Sequence, residues 1–462
     1  MKKLTIIFIL LFLTSAGAQE KDTLQLNFEE YLAMVKKYHP LVKQADLVVD
    51  EGAFKLLKAR GAFDPKIQGE LSEKNYKSTE YYNLFNAAFK IPTYYGLELS
   101  AKYEENSGKY LNPQNTVPDE GLYAAGISLD VTNGLFLSER MATLRQAKIY
   151  REQSAVKRDI QAAEVLYEAS ATYFEWFAAF QELLLYRDFM ENAEFRFRSV
   201  KTEFRAGDKP AVDTLEASVA IQNRQIQLQQ AELDYLKASL ELSNFLWAEN
   251  DVPLEITEMV VPNQELFEEV NTLWLPKELE TNAAEAVNPK IQYLSYDVDR
   301  LQVEKRLRAN KLLPDLELAY NFLTNQPDEW KQLNTDDYKL GLKLSVPLFL
   351  RKERGDLQLA KLELENSRYE LVNAKQEINN KLKSLQNEIV SYRQQRQNIA
   401  SLVTDYATLT SAEQRKFELG DSSLFLVNNR ENSFISARMK EIGIIVKSLK
   451  SQAELLKLTT RF

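Results

Sequence analysis

The sequence predicts a duplicated protein that combines long coiled-coil helices with amphipathic, membrane-spanning β-strands. Three observations support this fold class. Landmark residues recur in the same order in both halves of the chain, two long proline-free stretches each end at a glycine, and several short segments alternate apolar and charged side chains. Because packed helices tolerate insertions less well than loops, a repeat that keeps its spacing indicates a rigid rod.

The duplication is visible as pairs of motifs in the two halves. The pairs are His39-Pro40 with Asn288-Pro289, Pro65 with Pro314, Leu135-Phe136-Leu137 with Leu348-Phe349-Leu350, and Gly207-Asp208 with Gly420-Asp421. We therefore divide the mature chain into a first repeat at 19–250, a linker at 251–276 and a second repeat at 277–462. A repeated unit of helices and turns points to an elongated architecture.

The first residues predict a secretory signal peptide at 1–18. Lys2 and Lys3 precede an apolar run at 4–13, and the small residues at 16–18 fit a cleavage site. A membrane anchor needs about 20 apolar residues, and this run has roughly half that length. The chain has no cysteine, which excludes disulfides and thiol lipidation. A formal net charge of -9 argues against nucleic acid as a partner.

Helical stretches occupy most of each repeat. The first repeat contains three predicted helices, at 28–60, 138–206 and 211–247. The first begins after Asn27, a candidate N-cap, and the second stops at Gly207. The second repeat gives the corresponding stretches 279–312, 351–419 and 424–458. A helix as long as 138–206 spans about 100 Å. We expect each long helix to pair with two shorter helices stacked end to end beside it.

The long helix of the second repeat carries a heptad seam. Its apolar residues step by four and three and are interrupted only by Arg396. These residues are Ile378, Leu382, Leu385, Ile389, Tyr392, Ile399, Val403 and Tyr406. This period predicts packing against a partner helix in a coiled coil.

Strands with a period of two lie at 66–132 in the first repeat and at 315–347 in the second. A soluble antiparallel sheet with one solvated face is one interpretation. The segment lengths and the aromatic residues at the segment ends favour a transmembrane barrel. These aromatic residues are Tyr76, Tyr81, Tyr82, Tyr94, Tyr95, Tyr103, Phe322, Trp330, Tyr338 and Phe349. The first repeat also contains an extra hairpin near 82–106, which either enlarges the barrel or lies outside it, and a polar loop at 106–121 that we expect to be exposed.

The turns at 207–210 and 420–423 are the tips of the two repeats. Glycine fits the left-handed position that ends a helix, and we expect Asp208 and Asp421 to cap the helices that follow. We expect both tips to lie together at one end of the rod. Asp213 and Glu216 are three residues apart on one helix face, where they either line a pore mouth or simply face solvent.

The sequence shows no catalytic, cofactor-binding or metal-binding motif. His39 is the single histidine, and an isolated imidazole lacks the partners of a metal site or an activated nucleophile. We expect it to be a packing or surface residue. Carboxylates are spread along the helices in the pattern of solvated faces. An enzymatic role is therefore not predicted.

The chain resembles the TolC-like outer-membrane efflux protein family over essentially its whole mature length. The resemblance depends on the signal peptide, the long helices, the two Phe-x-x-Gly-Asp tips and three shorter segments. These segments are Gly61-Ala62-Phe63-Asp64-Pro65, Asn310-Lys311-Leu312-Leu313-Pro314 and Ser345-Val346-Pro347-Leu348-Phe349.

The resemblance implies a homotrimer in the outer membrane of a Gram-negative bacterium. Strands from three chains would close one β-barrel surrounded by outer-membrane lipid, continuous with an α-helical barrel across the periplasm. The tips at Gly207, Asp208, Gly420 and Asp421 would contact a periplasmic adaptor protein coupled to an inner-membrane pump. The function implied is a passive exit duct for small molecules in an efflux or secretion system. A soluble periplasmic coiled-coil adaptor is the alternative, and an envelope enzyme on a helical scaffold is a weaker one.

The gate departs from the pattern of some members of this family. Asp213 falls where the family places an acid in its first tip helix, which helps to hold the tip closed. Some members carry two acids after the second tip glycine, where this chain has Leu426 and Asn429. We therefore expect Asp213 and Glu216, rather than residues of the second tip, to supply any anionic ring, with Asn429 beside them at the mouth.

Overall fold

Long helices dominate the part of the chain that the structure describes. The computed structural model describes residues 24–94, 96–131, 137–257, 259–274, 288–326, 335–346 and 348–459. The predicted signal peptide at 1–18 lies outside these ranges, as do Tyr95 and Trp330.

Each repeat places its strands between a short helix and a long one. The first repeat and the linker contain β1 (Leu24–Leu26), α1 (Phe28–Tyr38), α2 (Pro40–Arg60), β2 (Lys66–Tyr76), β3 (Thr79–Pro92), β4 (Leu97–Ser107), β5 (Leu122–Asp130), α3 (Glu139–Ala206), α4 (Ala211–Ser243), β6 (Trp247–Ala248), β7 (Val252–Pro253), β8 (Val260–Pro262) and α5 (Leu266–Trp274). The second repeat contains α6 (Pro289–Asn310), β9 (Asp315–Thr324), β10 (Tyr338–Ser345), α7 (Arg351–Glu418) and α8 (Leu424–Thr459).

The two long helices organise the helical part. Helix α3 packs against α2 and then α4 along its length, and α7 packs against α6 and then α8 in the same way. Helix α3 also contacts α6 and α8, which joins the two repeats side by side. Each long helix has 68 residues and so extends about 100 Å. The predicted pairing of one long helix with shorter helices in series is therefore present in both repeats.

An aromatic core lies near the middle of α3, where α1, α4, α5 and α8 converge. Phe28, Tyr31, Tyr173 and Trp176 are completely buried there, and Leu266 of α5 joins them. The polar ends of the larger rings are satisfied. The Trp176 indole donates to Ser239 Oγ at 3.0 Å, and the Tyr31 hydroxyl donates to the Ala169 carbonyl at 3.1 Å. Burial of such large side chains stabilises the junction of these helices.

The predicted helix at 28–60 is wrong as a single element. It is broken at His39, which has extended backbone angles, φ -64° and ψ 129°, between α1 and α2. A residue before proline is sterically pushed out of the helical region, and Pro40 then occupies the first position of α2. The His39 Nδ1 accepts a hydrogen bond from the Leu41 N–H at 3.3 Å and so caps α2. Asn288, the equivalent residue, caps α6 by accepting from Lys290 N and Ile291 N.

Other helix ends also differ from the prediction. The side chain of Asn27 makes no capping hydrogen bond to α1. Helix α4 ends at Ser243 rather than at 247, because Leu246 turns into the aromatic core and Trp247 pairs with Pro253 in a two-stranded sheet. The predicted helix at 279–312 is observed from Pro289 to Asn310, and 279–287 lies outside the described residues.

The heptad seam of α7 is observed as predicted. Ile378, Leu382 and Leu385 are buried and pack against Leu455 of α8. The interruption at Arg396 has a structural reason. Its guanidinium stacks on the Phe267 ring at 3.5 Å and lies 3.8 Å from the Glu268 carboxylate. The predicted linker therefore contributes a packed helix, and its strand β8 pairs in parallel with β1.

The strands that the sequence predicts to cross a membrane form one six-stranded sheet in the order β10-β9-β5-β4-β3-β2. Every neighbouring pair is antiparallel. Strands β9 and β10 of the second repeat pair with each other and join the first repeat through β5. The extra hairpin predicted near 82–106 corresponds to β3 and β4, and it lies inside this sheet rather than beside it. The polar loop that follows is mostly exposed, as expected, with a short helical turn at Pro113–Asn115.

Candidate functional site

The two helical tips have the same geometry. Gly207 and Gly420 adopt left-handed angles, φ 89° and φ 82°. At the first tip, the Gly207 N–H donates to the Phe204 carbonyl and the Asp208 N–H donates to the Glu203 carbonyl. The second tip repeats this pattern from Gly420 and Asp421 to Phe417 and Lys416. These paired bonds form a Schellman motif, which satisfies the last carbonyls of α3 and α7 and reverses the chain.

The tips lie side by side at one end of the helical rods. Val200 of α3, Ala217 of α4 and Leu424 of α8 are buried together there. The Lys209 ammonium of the first tip lies 4.8 Å from the centre of the Phe417 ring in the second tip. The two repeats thus present one combined surface at this end.

Asp208 and Asp421 do not cap the helices that follow, which corrects the prediction. Helix α4 begins after Pro210 and has no side-chain cap, and helix α8 is capped by Ser423, whose Oγ accepts from the Leu426 N–H at 3.4 Å. Both aspartates lie too early in their turns to reach the first amides of the next helix. Both are exposed, so their carboxylates are free to meet a partner.

The candidate mouth residues lie next to these turns. Asp213 is in the first turn of α4, and both Asp213 and Glu216 are half-buried. Within the described residues, no ion pair is formed by either carboxylate. Asn429 of α8 is exposed, and Leu426 exposes 42% of its surface. The second tip thus carries an amide and an apolar side chain at the positions where some family members have acids.

A buried charge cluster near the tips was missed by the sequence analysis. Glu431 of α8 accepts a hydrogen bond from Arg196 of α3 at 2.5 Å, and its other oxygen is 3.7 Å from Arg224 of α4. All three residues are at least nine-tenths buried. Burial lowers the pKa of the Arg224 guanidinium, and the nearby Glu431 carboxylate opposes that shift. The cluster therefore joins three helices through charge.

A sequence signal for this cluster was present. Arg224 lies in a series of buried small residues spaced by seven, namely Ala217, Ala231 and Ala238. Glu431 lies four residues after the buried Val427 and four before the buried Ile435. Charged residues at seam positions of a heptad face a partner helix rather than solvent.

The six-stranded sheet has one apolar and one polar face, because side chains alternate along each strand and the register aligns them across strands. The apolar face includes Ile67, Leu71, Phe85, Phe89, Leu99, Ile127, Leu318, Leu340 and Leu342. The opposite face includes Lys66, Glu70, Lys90, Glu98, Lys102, Asp130, Glu317, Lys339 and Lys343. The apolar face is well exposed, with Leu342 at 69% and Ile67 at 84%.

A polar cavity of about 700 Å³ lies where the polar face of the sheet meets the helices. Glu98, Asp130 and Glu317 line it from the strands, and Arg140 and Arg308 line it from α3 and α6. Arg140 lies 3.7 Å from Glu98, and Arg308 lies 3.5 Å from Asp356. Charges of both signs thus line this cavity between the sheet and the helices.

No helix in the described ranges is both long enough and apolar enough to cross a membrane. Across the same residues, no group of three or more histidine or carboxylate side chains could hold a metal ion.

Comparison with known proteins identifies the family. The sequence profile of the outer membrane efflux protein family matches residues 94–246 and 281–461, well over half of the chain. The chain therefore belongs to the outer membrane efflux protein family. It is an outer-membrane efflux protein, and the alternative of a soluble adaptor is not supported. No curated protein matches the sequence.

Solved structures share the fold at low sequence identity. The Campylobacter jejuni CmeC outer membrane channel is 14% identical with a TM-score of 0.67, covering 94% of this chain and 86% of that chain. The open-state Neisseria gonorrhoeae MtrE outer membrane channel is 11% identical with a TM-score of 0.65, covering 94% and 88%. The Vibrio cholerae outer membrane protein VceC is 9% identical with a TM-score of 0.65, covering 93% and 95%.

Proposed function

We propose that three copies of this chain form the passive exit duct of a multicomponent efflux or secretion system. Strands of the three copies close one barrel in the outer-membrane lipid, and their helices form a tube through the periplasm. A periplasmic adaptor binds the tips, and an inner-membrane pump supplies the driving energy. The chain performs no chemical reaction and needs no cofactor.

The observation that carries this proposal is the open sheet. Within the described residues, β2 and β10 are its edges, and each has its second backbone edge unpaired. Their exposed apolar side chains suit lipid, but lipid offers no hydrogen bonds to unpaired backbone groups. An open sheet edge is therefore incompatible with the bilayer core. Pairing β10 of one copy with β2 of the next satisfies both edges.

The helical part has a matching unpaired surface. Helix α4 exposes Val212, Val219, Ile226, Leu233 and Leu240, which are spaced by seven residues. Val212 and Ile226 expose 63% and 65% of their surfaces. Apolar residues at this spacing are typical of a coiled-coil seam. The partner that fits this surface is a helix of a neighbouring copy. The same symmetry that pairs these helices around a tube would also pair the sheet edges of neighbouring copies.

The tips are the end that an adaptor can reach. Asp208 and Asp421 are exposed, and the left-handed Gly207 and Gly420 make both turns compact. Two similar tips in each copy give a ring of six similar surfaces, which suits repeated adaptor contacts. We assign Asp213, Glu216 and Asn429 to the mouth of the tube because they lie within the first two turns of the helices that follow these tips.

Cysteine cross-linking tests the assembly, since the chain has no native cysteine. Oxidation of a Leu71→Cys/Leu342→Cys double variant in outer membranes should give a covalent ladder that ends at the trimer. Each single variant is the control and should stay monomeric under denaturing conditions, because symmetry keeps identical edge residues apart. A ladder that ends at the dimer or continues beyond the trimer would refute threefold closure.

A further inference from the structure

The two repeats contribute unequally to the membrane sheet. In the described residues, the second repeat supplies β9 and β10, whereas the first supplies β2, β3, β4 and β5. The outer strands of the first repeat, β2 and β5, correspond to β9 and β10 by their positions before and after the adjoining helices. Strands β3 and β4 are thus an insertion in one repeat only.

The inserted hairpin is an integral part of the sheet. Strand β3 pairs with β2 from Lys66↔Lys90 to Tyr76↔Thr79, and with β4 from Asn83↔Ser107 to Pro92↔Glu98. Strand β4 then continues the ladder into β5. The hairpin therefore separates β2 from β5, and a barrel cannot close around it without including it.

The hairpin also continues both faces of the sheet. Phe85, Phe89 and Leu99 stand on the apolar face, and each exposes about two-fifths of its surface. The register aligns Phe89 with Ile67 on one side and with Ala101 on the other. Outside the membrane, an exposed apolar face on this hairpin would be in contact with water, which is unfavourable. Its alignment with the apolar side chains of the neighbouring strands therefore favours a position within the membrane.

The polar face of the hairpin carries balanced charge. Lys90 and Lys102 stand there with Glu98 and Glu104. Lys90 faces Lys66 across the β2–β3 ladder, and Glu98 faces Arg140 of α3 at 3.7 Å. The polar face of the insertion thus adds water-facing surface to the pore without adding net charge. We therefore expect the insertion to change the width of the pore rather than its charge selectivity.

We propose that the β3–β4 insertion widens the outer-membrane pore so that bulky polar solutes can leave through it. The inference rests on the proposed trimer. Three six-stranded sheets close eighteen strands, whereas two strands from every repeat would close only twelve. Because barrel diameter grows roughly linearly with strand number, the pore is about half again as wide, and barrels of 16–18 strands enclose an open aqueous channel.

Two measurements on purified full-length trimers test this width. Cryo-electron microscopy should count six membrane strands for each subunit. In planar bilayers, neutral polymers added only from the extracellular side should lower the conductance up to a cut-off diameter set by the barrel. Deletion of residues 77–107 joins β2 to β5 through the existing polar loop and preserves their antiparallel direction. This deletion should reduce the cut-off diameter by about a third.

A matched variant lacks only 110–119 of the polar loop and should keep the wild-type cut-off. Wild-type trimers with four membrane strands in each subunit, or an unchanged cut-off after the 77–107 deletion, would overturn the inference and leave the duct itself intact. Absence of trimers in the wild type would instead overturn the proposed function, and the inference with it. If the deletion variant does not fold, the strand count in the wild type still decides.

Discussion

Arg196, Arg224 and Glu431 are buried, so their charges must be balanced by one another rather than by water. Two guanidiniums share one carboxylate, so the cluster carries a net positive charge between α3, α4 and α8. Asn432 and Gln227 accept further hydrogen bonds from Arg224, whereas Arg196 Nη1 has no partner among the described residues. The cluster is therefore stable only while the carboxylate is ionised and in place.

Replacement of Glu431 by glutamine should strongly destabilise the tip region. The variant leaves two buried cations without a counter-charge, and breaking such a group typically costs about 3–5 kcal/mol. Thermal unfolding of the detergent-solubilised protein, followed by circular dichroism, should show a clear fall in midpoint. Glu363→Gln, at an exposed position of α7, is the control and should leave the midpoint unchanged. A midpoint for Glu431→Gln equal to the control would show that the cluster contributes little.

His39 gives the fold a pH dependence of defined sign. It is buried against the stacked ring of Phe245 and the edge of Trp247. Burial lowers the pKa of His39 below its usual 6.5, and a hydrogen bond to the Asn244 backbone partly opposes this. The His39 imidazole therefore binds a proton less tightly in the native chain than in the unfolded chain. Stability is lost as pH falls below the usual histidine pKa towards the lower native value.

The variant His39→Asn should remove this pH dependence. Asparagine keeps the cap, because Asn288 performs the same role in the second repeat. Chemical unfolding at pH values from 7.5 to 5 should show the wild type losing stability relative to the variant, by at most about 1.4 kcal/mol per pH unit. Carboxylates titrate alike in both chains, so only the difference is informative. Parallel curves would show that the native pKa of His39 is not lowered.

Some residue roles could be predicted from the sequence and others could not. The glycines of the tips were predictable because glycine is the residue that most readily adopts the left-handed conformation at which a long proline-free helix ends. The capping role of Asp208 and Asp421 was wrong because caps depend on the exact first residue of a helix, where sequence patterns are least precise. The Arg196 cluster was overlooked because a charged residue is normally expected to face solvent.

At the scale of elements, the repeat itself held information about the broken first helix. Asn288-Pro289 begins α6, so His39-Pro40 at the equivalent position also begins a helix. The position of the extra hairpin was not predictable, because alternation identifies the faces of a strand but not its neighbours. Only the observed register shows that β3 and β4 separate β2 from β5.

Arg396 shows how one seam position connects two elements. Its replacement by alanine removes the stacking on Phe267 and the ion pair with Glu268, which hold α5 against α7. A cation–π contact contributes about 0.5–1 kcal/mol at a partly exposed site, so amide exchange in α5 should rise up to about fivefold. Hydrogen–deuterium exchange measured on peptides from 259–274 reports this directly. Arg393→Ala, at an exposed position one turn away, is the control, and equal exchange in both variants would contradict the docking role.

At the scale of the whole molecule, threefold assembly would multiply the charges at the tips. Asp213 and Glu216 are half-buried in one chain. Within the described residues neither carboxylate has an ion pair, so the partners that stabilise them lie in neighbouring copies or in water. In the proposed trimer, these six carboxylates would form a ring at the proposed mouth of the tube. If cationic side chains of neighbouring copies pair with these carboxylates, the resulting ion pairs would hold the mouth closed.

Neutralising the ring should therefore open the mouth. The double variant Asp213→Asn/Glu216→Gln removes the charge needed for ionic contacts between copies while nearly preserving side-chain volume. Single-channel conductance in planar bilayers should rise several-fold over the wild type. Glu232→Gln, at an exposed position further along α4, changes the net charge of each copy by one without touching the mouth and should leave conductance as it is. A fall in cation selectivity at constant conductance would mean that the carboxylates line the lumen without closing it, and the gating role would be rejected.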